Sequence, residues 1–198
     1  PQPPARGRAG AGREAGDGRG GGGRVTDLVP VIIGLGSNVD PERHLAAALA
    51  RLARALEVTN VSSVYASDPV GAPGSARFLN AAVGAWTDLE PARLKAEVLR
   101  PIEAALGRHR TGDRNAPRTI DLDLLLYGEA VIEDRERGLR LPDPELLARA
   151  HVAVPAAEVW PEGVHPVTGE TLGAIAARLA TNSGLVRLSA IPGWAAGG

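Results

Sequence analysis

Two aspartates separated by a single leucine are the clearest candidates for chemistry in this sequence. Asp121 and Asp123 lie in an apolar segment, residues 119–127, that predicts a β-strand. Side chains alternate along a strand, so the two carboxylates project from one face, about 6–7 Å apart, and Leu122 projects from the other. Carboxylates this close repel each other unless a cation lies between them, and Mg2+ favours one or two carboxylates plus water and phosphate oxygens. The spacing predicts a metal site, while a solvated polar face of an edge strand remains the alternative.

An arginine-rich segment comes directly before this strand. Four arginines fall within eleven positions, namely Arg108, Arg110, Arg114 and Arg118. Guanidinium groups bind phosphate oxygens through paired hydrogen bonds, and Mg2+ neutralises the remaining charge of a triphosphate. A run of charge is usually a solvated surface, but beside the paired aspartates it predicts a site for a nucleoside triphosphate.

Several other classes of protein are excluded by residues and motifs that the sequence lacks. The absence of cysteine excludes disulfides, a thiolate nucleophile and cysteine-ligated zinc. There is no GxxxxGK[ST] phosphate loop and no protein-kinase HRD or DFG motif. A formal net charge of −1 argues against a general nucleic-acid binder. No apolar run approaches the ~20 residues of a membrane span, and the first residues have no apolar signal region, so we expect a cytoplasmic protein.

The 198 residues suggest one domain of ordinary size with a tail. Residues 1–26 are rich in Gly and Arg and nearly without large apolar side chains, which predicts a disordered tail. Residues 27–190 are assigned to one folded domain, and residues 191–198 to a flexible C-terminus.

The elements that must position the aspartates follow from the apolar periodicity. Residues 28–36 predict a buried strand, and Asp40 with Pro41 predict the start of a helix whose buried stripe includes Leu45 and Leu52. Glu90 begins a second helix, in which Pro101 predicts a kink. The remaining predicted elements are strands at 58–67, 78–87 and 119–127, short elements at 130–133, 139–141 and 144–149, and a helix at 171–180. The order βαββαβ predicts an α+β fold with a ferredoxin-like core, an antiparallel sheet and additional C-terminal strands and helices.

Three segments resemble the 6-hydroxymethyl-7,8-dihydropterin pyrophosphokinase family. They are residues 33–38 (IGLGSN), 78–83 (FLNAAV) and 116–125 (APRTIDLDLL), with residues 165–169 (HPVTG) also similar, over a likeness that runs from about residue 31 to 179. The resemblance implies transfer of diphosphate from Mg-ATP to the hydroxymethyl group of the dihydropterin, with release of AMP, in folate biosynthesis. It also implies two Mg2+ ions, ATP as co-substrate and, as we expect, a monomer with no membrane or specific nucleic-acid partner.

The resemblance assigns roles by position. It implies that Asp121 and Asp123 ligate the metals and act in catalysis together with Arg110 and Arg118. The residues implied to bind ATP are Glu103, Arg108, Arg110, Arg114, Arg118, Asp143 and Arg149. The residues implied to bind the pterin are Ser67, Val70, Phe78, Asn80 and His151.

Three positions depart from the family pattern. The family usually has Trp at the position of Asn115, His at the position of Asp143 and Phe at the position of His151. Asp143 places negative charge where a phosphate would approach, so these changes bear on rate and affinity more than on the class of reaction.

Three other functions remain as alternatives. A DxD nucleotidyltransferase would release diphosphate in place of AMP, and it would have its GS element nearly adjacent to the aspartates. An RNA-binding ferredoxin-like module with an Arg/Gly tail would stack bases on exposed aromatic residues, of which this chain has few. A degenerate homologue that binds pterin and ATP but turns over weakly is the third.

Overall fold

The computed structural model describes residues 28–68, 76–108, 117–188 and 191–194. The predicted tail at residues 1–26 lies outside these ranges. Within them, a six-stranded antiparallel sheet is the centre of the fold, so the predicted combination of helices with an antiparallel sheet is confirmed.

The sheet is built around two long central strands. Strand β1 (Val29–Ser37) pairs on one side with β4 (Phe78–Thr87) and on the other with β5 (Asp121–Tyr127). The far edge of β4 is shared by two shorter strands, β2 (Glu57–Val61) and β3 (Tyr65–Ser67), where a single strand was predicted. Strand β8 (Val186–Arg187) continues the sheet beyond β3. Strands β6 (Ile132–Asp134) and β7 (Leu139–Leu141) form a separate two-stranded sheet.

Helices cover both faces of the sheet. Helix α1 (Pro41–Ala55) and a helical segment at residues 91–105 pack against the face that carries Val31, Ile33 and Leu35. Helices α4 (Ala150–Val159) and α5 (Leu172–Ala180) pack on the other face, with Ile32 and Leu126. Ile32 therefore belongs to one apolar core and its neighbours Val31 and Ile33 to the other, which explains why residues 31–33 are apolar without interruption.

The helical segment at residues 91–105 changes its hydrogen-bond pattern before a proline. It consists of α2 (Pro91–Arg93), a π-helical stretch (Leu94–Leu99) and α3 (Arg100–Ala105). The N–H of Arg100 bonds to the oxygen of Lys95, five residues back. Pro101 has no N–H and cannot extend a regular α-helical ladder, and the stretch just before it is π-helical. The kink expected at Pro101 stays a prediction.

Helix α4 is the element that sequence periodicity failed to predict. It follows a short 3-10 helix, Pro144–Leu147, where a turn or short helix was expected. Its sequence is rich in alanine and valine and contains Pro155, so it shows no apolar stripe and has an unfavourable residue inside. The helix lies between the sheet and α5, and burial on two sides stabilises it in place of an amphipathic pattern.

No helix in the described part of the chain is long and apolar enough to cross a membrane.

Candidate active site

The two aspartates of β5 lie on the sheet face that α4 partly covers. In the strand register, Asp121 is opposite Gly36 and Asp123 is opposite Gly34. Leu122 and Leu124 point to the other face, into the core that contains Ile33 and Leu35. The two carboxylates therefore share a face, as the alternation of the sequence predicts.

The glycines opposite the aspartates serve different purposes. A Cβ on Gly34 would come within 3.1 Å of the side chain of Leu125, so Gly34 makes room for a core residue. Among the described residues, a Cβ on Gly36 would meet only Asn80 Oδ1, at 3.7 Å. The space over Gly36, beside Asp121, is consequently open.

Asp121 is held by two arginines. Its Oδ1 lies 3.1 Å from Nη2 of Arg108, and its Oδ2 is paired with Nη1 of Arg118. The side chain of Arg108 is only 12% exposed, and its Nη1 also donates to the carbonyl of Ile120 at 2.9 Å. Two guanidinium groups thus converge on the first aspartate and can donate to phosphate oxygens at the same place.

Asp123 lies near three other carboxylate groups. Burial, followed by the carboxylates of Asp121, Asp143 and Glu103, raises the pKa of Asp123 to about 7, and Lys95 opposes the shift. Asp123 also keeps solvent-exposed surface, and the charge of the neighbouring carboxylates adds to the effect of burial on its pKa. A divalent cation at this position would relieve that repulsion, and the donor set of carboxylate oxygens suits Mg2+.

Among the described residues, no group of three or more Asp, Glu, His or Cys side chains is arranged to hold a metal ion. A metal bound by Asp121 and Asp123 would take its other ligands from water or from phosphate oxygens.

Ser37 and Asn38 tie the start of β5 to the end of β1. The hydroxyl of Ser37 donates to the carbonyl of Thr119 at 2.6 Å. The side-chain oxygen of Asn38 accepts the N–H of Arg118 at 2.7 Å, and the N–H of Asn38 donates to the carbonyl of Arg118 at 3.0 Å. Sequence reasoning gave the GSN segment a structural role as a tight turn or close backbone approach; its hydrogen bonds hold Arg118 next to Asp121.

Glu103 lies underneath this arrangement and not on its surface. It is 2% exposed, and its Oε1 accepts the N–H of Leu122 at 3.0 Å. The same oxygen lies 3.8 Å from Nε of Arg108. The predicted ATP-binding residue therefore supports both the strand of the aspartates and one of the arginines.

Asn80 and its neighbours form the other side of the site. Asn80 lies on β4 directly opposite Gly36, and Tyr65 of β3 lies opposite Asn80. The Nδ2 of Asn80 donates to Oγ of Ser67 at 2.9 Å and to the carbonyl of Tyr65 at 3.3 Å. Phe78, at the first position of β4, is half-buried and opposite Ser67. The structure therefore brings Ser67, Phe78 and Asn80 together.

The C-terminal candidates surround the start of α4. Asp143 caps the short 3-10 helix by accepting the N–H of Glu145 at 2.8 Å, and its own N–H donates to the carbonyl of Leu125 in β5. Burial raises the pKa of Asp143. Arg149 precedes α4 and is exposed, and His151 lies in the first turn, where burial lowers its pKa.

Three predicted site residues, Val70, Arg110 and Arg114, lie outside the described residues, as does Asn115. Of the residues that sequence reasoning did not assign to the site, Gly36 and Tyr65 are the most closely involved. Neither carries a sequence signal for this role, because it depends on strand register.

Comparison with known proteins shows which family the sequence of this chain matches. Residues 32–161 match the model of the 7,8-dihydro-6-hydroxymethylpterin-pyrophosphokinase family. A 2-amino-4-hydroxy-6-hydroxymethyldihydropteridine pyrophosphokinase of Bacillus subtilis is 45% identical over 130 residues, which cover 64% of this chain and 75% of that protein. The enzyme of the same name from Synechocystis is 37% identical over 144 residues, covering 71% of each chain.

A solved structure shows the same fold at low identity. Wild-type HPPK-DHPS of Plasmodium falciparum superposes with a TM-score of 0.59 at 12% identity, covering 78% of this chain and 45% of that protein. This chain thus spans less than half the length of that larger protein. The resemblance inferred from the sequence motifs is confirmed: the chain belongs to the 7,8-dihydro-6-hydroxymethylpterin-pyrophosphokinase family.

Proposed function

We propose that this protein transfers diphosphate from Mg-ATP to the hydroxymethyl group of 6-hydroxymethyl-7,8-dihydropterin, releasing AMP, as a step of folate biosynthesis. One observation carries the proposal. The amide of Asn80 and the carboxylate of Asp121 lie in one row of the sheet, on either side of Gly36, whose missing side chain leaves the space between them open.

The side of this space next to Asp121, where the phosphates would bind, carries two arginines as well as the aspartate. Arg108 and Arg118 converge on Asp121, and they can exchange this ion pair for contacts with the triphosphate. Glu103 lies 3.8 Å from Nε of Arg108, and the side chain of Asn38 accepts the backbone N–H of Arg118, so both arginines have a contact besides Asp121. The proposal extends the ATP site to Arg110, Arg114, Asp143 and Arg149.

Asp121 and Asp123 would hold Mg2+, and we propose two ions. When bound, the metal neutralises the triphosphate and makes the β-phosphorus a better electrophile. The raised pKa of Asp123 fits this role, because a cation replaces the proton that the crowded carboxylate otherwise tends to keep.

The pterin side would use Asn80 and Ser67 for polar contacts and Phe78 for stacking. His151 would supply the second ring, since burial lowers its pKa and favours the neutral imidazole. Val70 belongs to the same proposed set. The hydroxymethyl group of a ring bound here would face Asp121 across Gly36.

The reaction requires positioning and charge neutralisation more than covalent catalysis. The hydroxyl oxygen of the pterin forms a bond to the β-phosphorus as the bond from that phosphorus to the oxygen of AMP breaks, and the hydroxyl proton is released. Arg108 and Arg118 stabilise the negative charge that moves onto the phosphate oxygens. We propose Arg110 and Arg118 as catalytic residues beside the two aspartates.

The core of the fold is proposed to be ferredoxin-like. Support comes from the strand order β5-β1-β4 followed by β2 and β3, with α1 and the segment 91–105 on one face. The folded domain is proposed to be a cytoplasmic monomer.

Incubation with Mg-ATP and 6-hydroxymethyl-7,8-dihydropterin tests the function. We expect AMP and the diphosphorylated pterin in equal amounts, resolved by chromatography. Release of free diphosphate would indicate a nucleotidyltransferase, and pterin binding without AMP release would indicate a degenerate homologue.

A further inference from the structure

A break in the sheet edge between β2 and β3 is held by hydrogen bonds to distant parts of the chain. The carbonyl of Ser62 accepts the indole N–H of Trp194 at 2.8 Å, and the carbonyl of Val64 accepts the N–H of Leu188 at 2.8 Å. The N–H of Ser63 donates to Oε2 of Glu158 at 2.6 Å. Buried backbone groups need such partners, so the position of β3 depends on α4 and on the C-terminal segment.

Glu158 makes the closest connection between α4 and β3. While Oε2 accepts the Ser63 N–H, Oε1 accepts the hydroxyl of Tyr65 at 2.7 Å. Arg187 lies 3.7 Å from the same carboxylate and donates to Oγ of Ser63 at 2.8 Å. Tyr65 is 8% exposed. Its hydroxyl connects β3 to α4 through the hydrogen bond to Glu158.

The position of β3 in turn determines which atom Asn80 presents to the open space. The carbonyl of Tyr65 can only accept a hydrogen bond, so the amide nitrogen of Asn80, 3.3 Å away, must face β3. Ser67 Oγ, at 2.9 Å, accepts from the same nitrogen. Oδ1 of Asn80 is therefore directed over Gly36, where a ligand N–H can donate to it.

We propose that Tyr65 and Glu158 are positioning residues for pterin recognition, which clamp β3 to α4 and so keep the oxygen of Asn80 facing the ligand. The inference rests on the proposed function. Neither residue contacts the pterin; they act through Asn80 and Ser67. Helix α4 carries His151 in its first turn and Glu158 in its last, so the clamp also connects the two proposed walls of the pterin site.

Three variants with one matched control test the clamp. Tyr65→Phe removes only the hydroxyl, and Glu158→Ala removes both acceptors. Glu158→Gln can keep both hydrogen bonds, with its amide oxygen accepting the Ser63 N–H and its amide nitrogen donating to the Tyr65 hydroxyl oxygen. The control is Tyr127→Phe, which removes a comparable hydrogen bond from the Tyr127 hydroxyl to the carbonyl of Leu89 at 3.1 Å, at the other end of β5 from Asp121.

For Tyr65→Phe and Glu158→Ala we expect the KM for pterin to rise about five- to tenfold, the equivalent of roughly one hydrogen bond. The KM for ATP should stay within about twofold, because the arginine side of the site is not connected to β3 through these contacts. Both Glu158→Gln and the control Tyr127→Phe should have a KM for pterin close to that of the wild type. Amide hydrogen exchange at residues 65–67 should become faster in Tyr65→Phe and not in Tyr127→Phe.

An unchanged pterin KM in folded Tyr65→Phe, or an equal rise of both KM values, overturns the inference. If Glu158→Ala does not fold, the KM for pterin of Tyr65→Phe alone decides whether the inference stands. A wild-type protein that releases no AMP with pterin refutes the proposed function, and the inference with it. AMP release by the wild type combined with an unchanged pterin KM in the variants refutes the inference only.

Discussion

Asn80 and Asp121 lie in one row across three strands, separated by Gly36. Two strand spacings place their Cα atoms about 10 Å apart. A polar amide and an acidic, arginine-paired carboxylate thus face the same gap, and Gly36 contributes no side chain to fill it. Under the proposed function, the Asn80 side of this gap would bind the pterin and the Asp121 side the phosphates.

Gly36→Ala should leave the fold intact and impair the reaction. In the described ranges the new Cβ meets nothing closer than Asn80 Oδ1, at 3.7 Å, so the melting temperature should change little. The methyl group would nevertheless occupy the gap between Asn80 and Asp121, and we expect AMP formation to fall about tenfold or more, since ~1.4 kcal/mol of lost transition-state binding gives that factor.

Gly84→Ala is the matched control for this substitution. A Cβ on Gly84 would lie 2.6 Å from Cγ1 of Val159, so this variant should lose thermal stability. A large loss of stability in Gly36→Ala would contradict an open space at Gly36, and full activity would contradict the use of that space in the reaction.

Asp123→Asn should abolish most activity with the fold preserved. The substitution keeps the size of the side chain and removes the charge that a metal needs, so we expect a loss of several kcal/mol in the activation barrier, about a thousandfold in rate or more. The measurement is AMP formation as a function of Mg2+ concentration, with circular dichroism to verify folding.

Asp134→Asn provides the comparison for Asp123→Asn. Asp134 lies on β6 and pairs with Arg137 at 2.8 Å, away from the proposed site. Asp134→Asn should not change the rate of AMP formation. Near wild-type AMP formation by Asp123→Asn would show that the paired aspartates do not hold the metal.

Asn38→Ala should weaken ATP binding through Arg118. The partly buried N–H of Arg118 would lose the acceptor that now lies 2.7 Å away, which costs about 1 kcal/mol. We expect a higher KM for ATP together with a lower melting temperature.

Thr171→Ala is the control that separates an effect on ATP binding from an effect on thermal stability. It removes the helix cap of α5, where Thr171 accepts the N–H of Ala174, at a cost of about 1 kcal/mol. The melting temperature should fall without a change in the KM for ATP. An identical KM for ATP in Asn38→Ala and wild type would refute the link from Asn38 to the phosphate site.

The stability of the protein at alkaline pH should depend on Tyr65. Burial, and then the hydrogen bond and charge of Glu158, raise the pKa of Tyr65 from 10.0 to about 12, with Arg187 opposing the shift. A phenol whose pKa is higher in the folded state contributes its stability below pH 10.0, and that contribution is lost as the pH rises through about 12.

Urea denaturation between pH 9 and pH 12 measures this effect. The free energy of unfolding of the wild type should fall more steeply over that range than that of Tyr65→Phe. Burial also raises the pKa of Tyr127, so the variant should keep part of the slope. Parallel curves for the two proteins would contradict the shift assigned to Tyr65.

Local patterns predicted most of the elements near the site. The alternation of Asp and Leu in β5 predicted that both carboxylates share a face, and Asp40 with Pro41 predicted the start of α1. The strand at residues 78–87 has the predicted bounds. These features depend on residues next to each other in the chain, which is why sequence periodicity reveals them.

Helix α4 and the break between β2 and β3 did not follow from local pattern. The residues of α4 are apolar on all sides because two partners bury them, and Pro155 argues against a helix at all. The break depends on Glu158 and Trp194, which lie far away in the chain. Contacts across such separations leave no periodic signal at either end.

The sequence by itself determined the family and the acidic and basic residue types of the site, because short motifs preserve the chemistry of metal and phosphate binding. Only the tertiary structure decided that Glu103 lies beneath β5, that Asn38 holds Arg118, and that Gly36 separates Asn80 from Asp121. The physical reason is strand register: hydrogen bonding between strands places residues from different parts of the chain side by side, and no single segment encodes which of them will face each other.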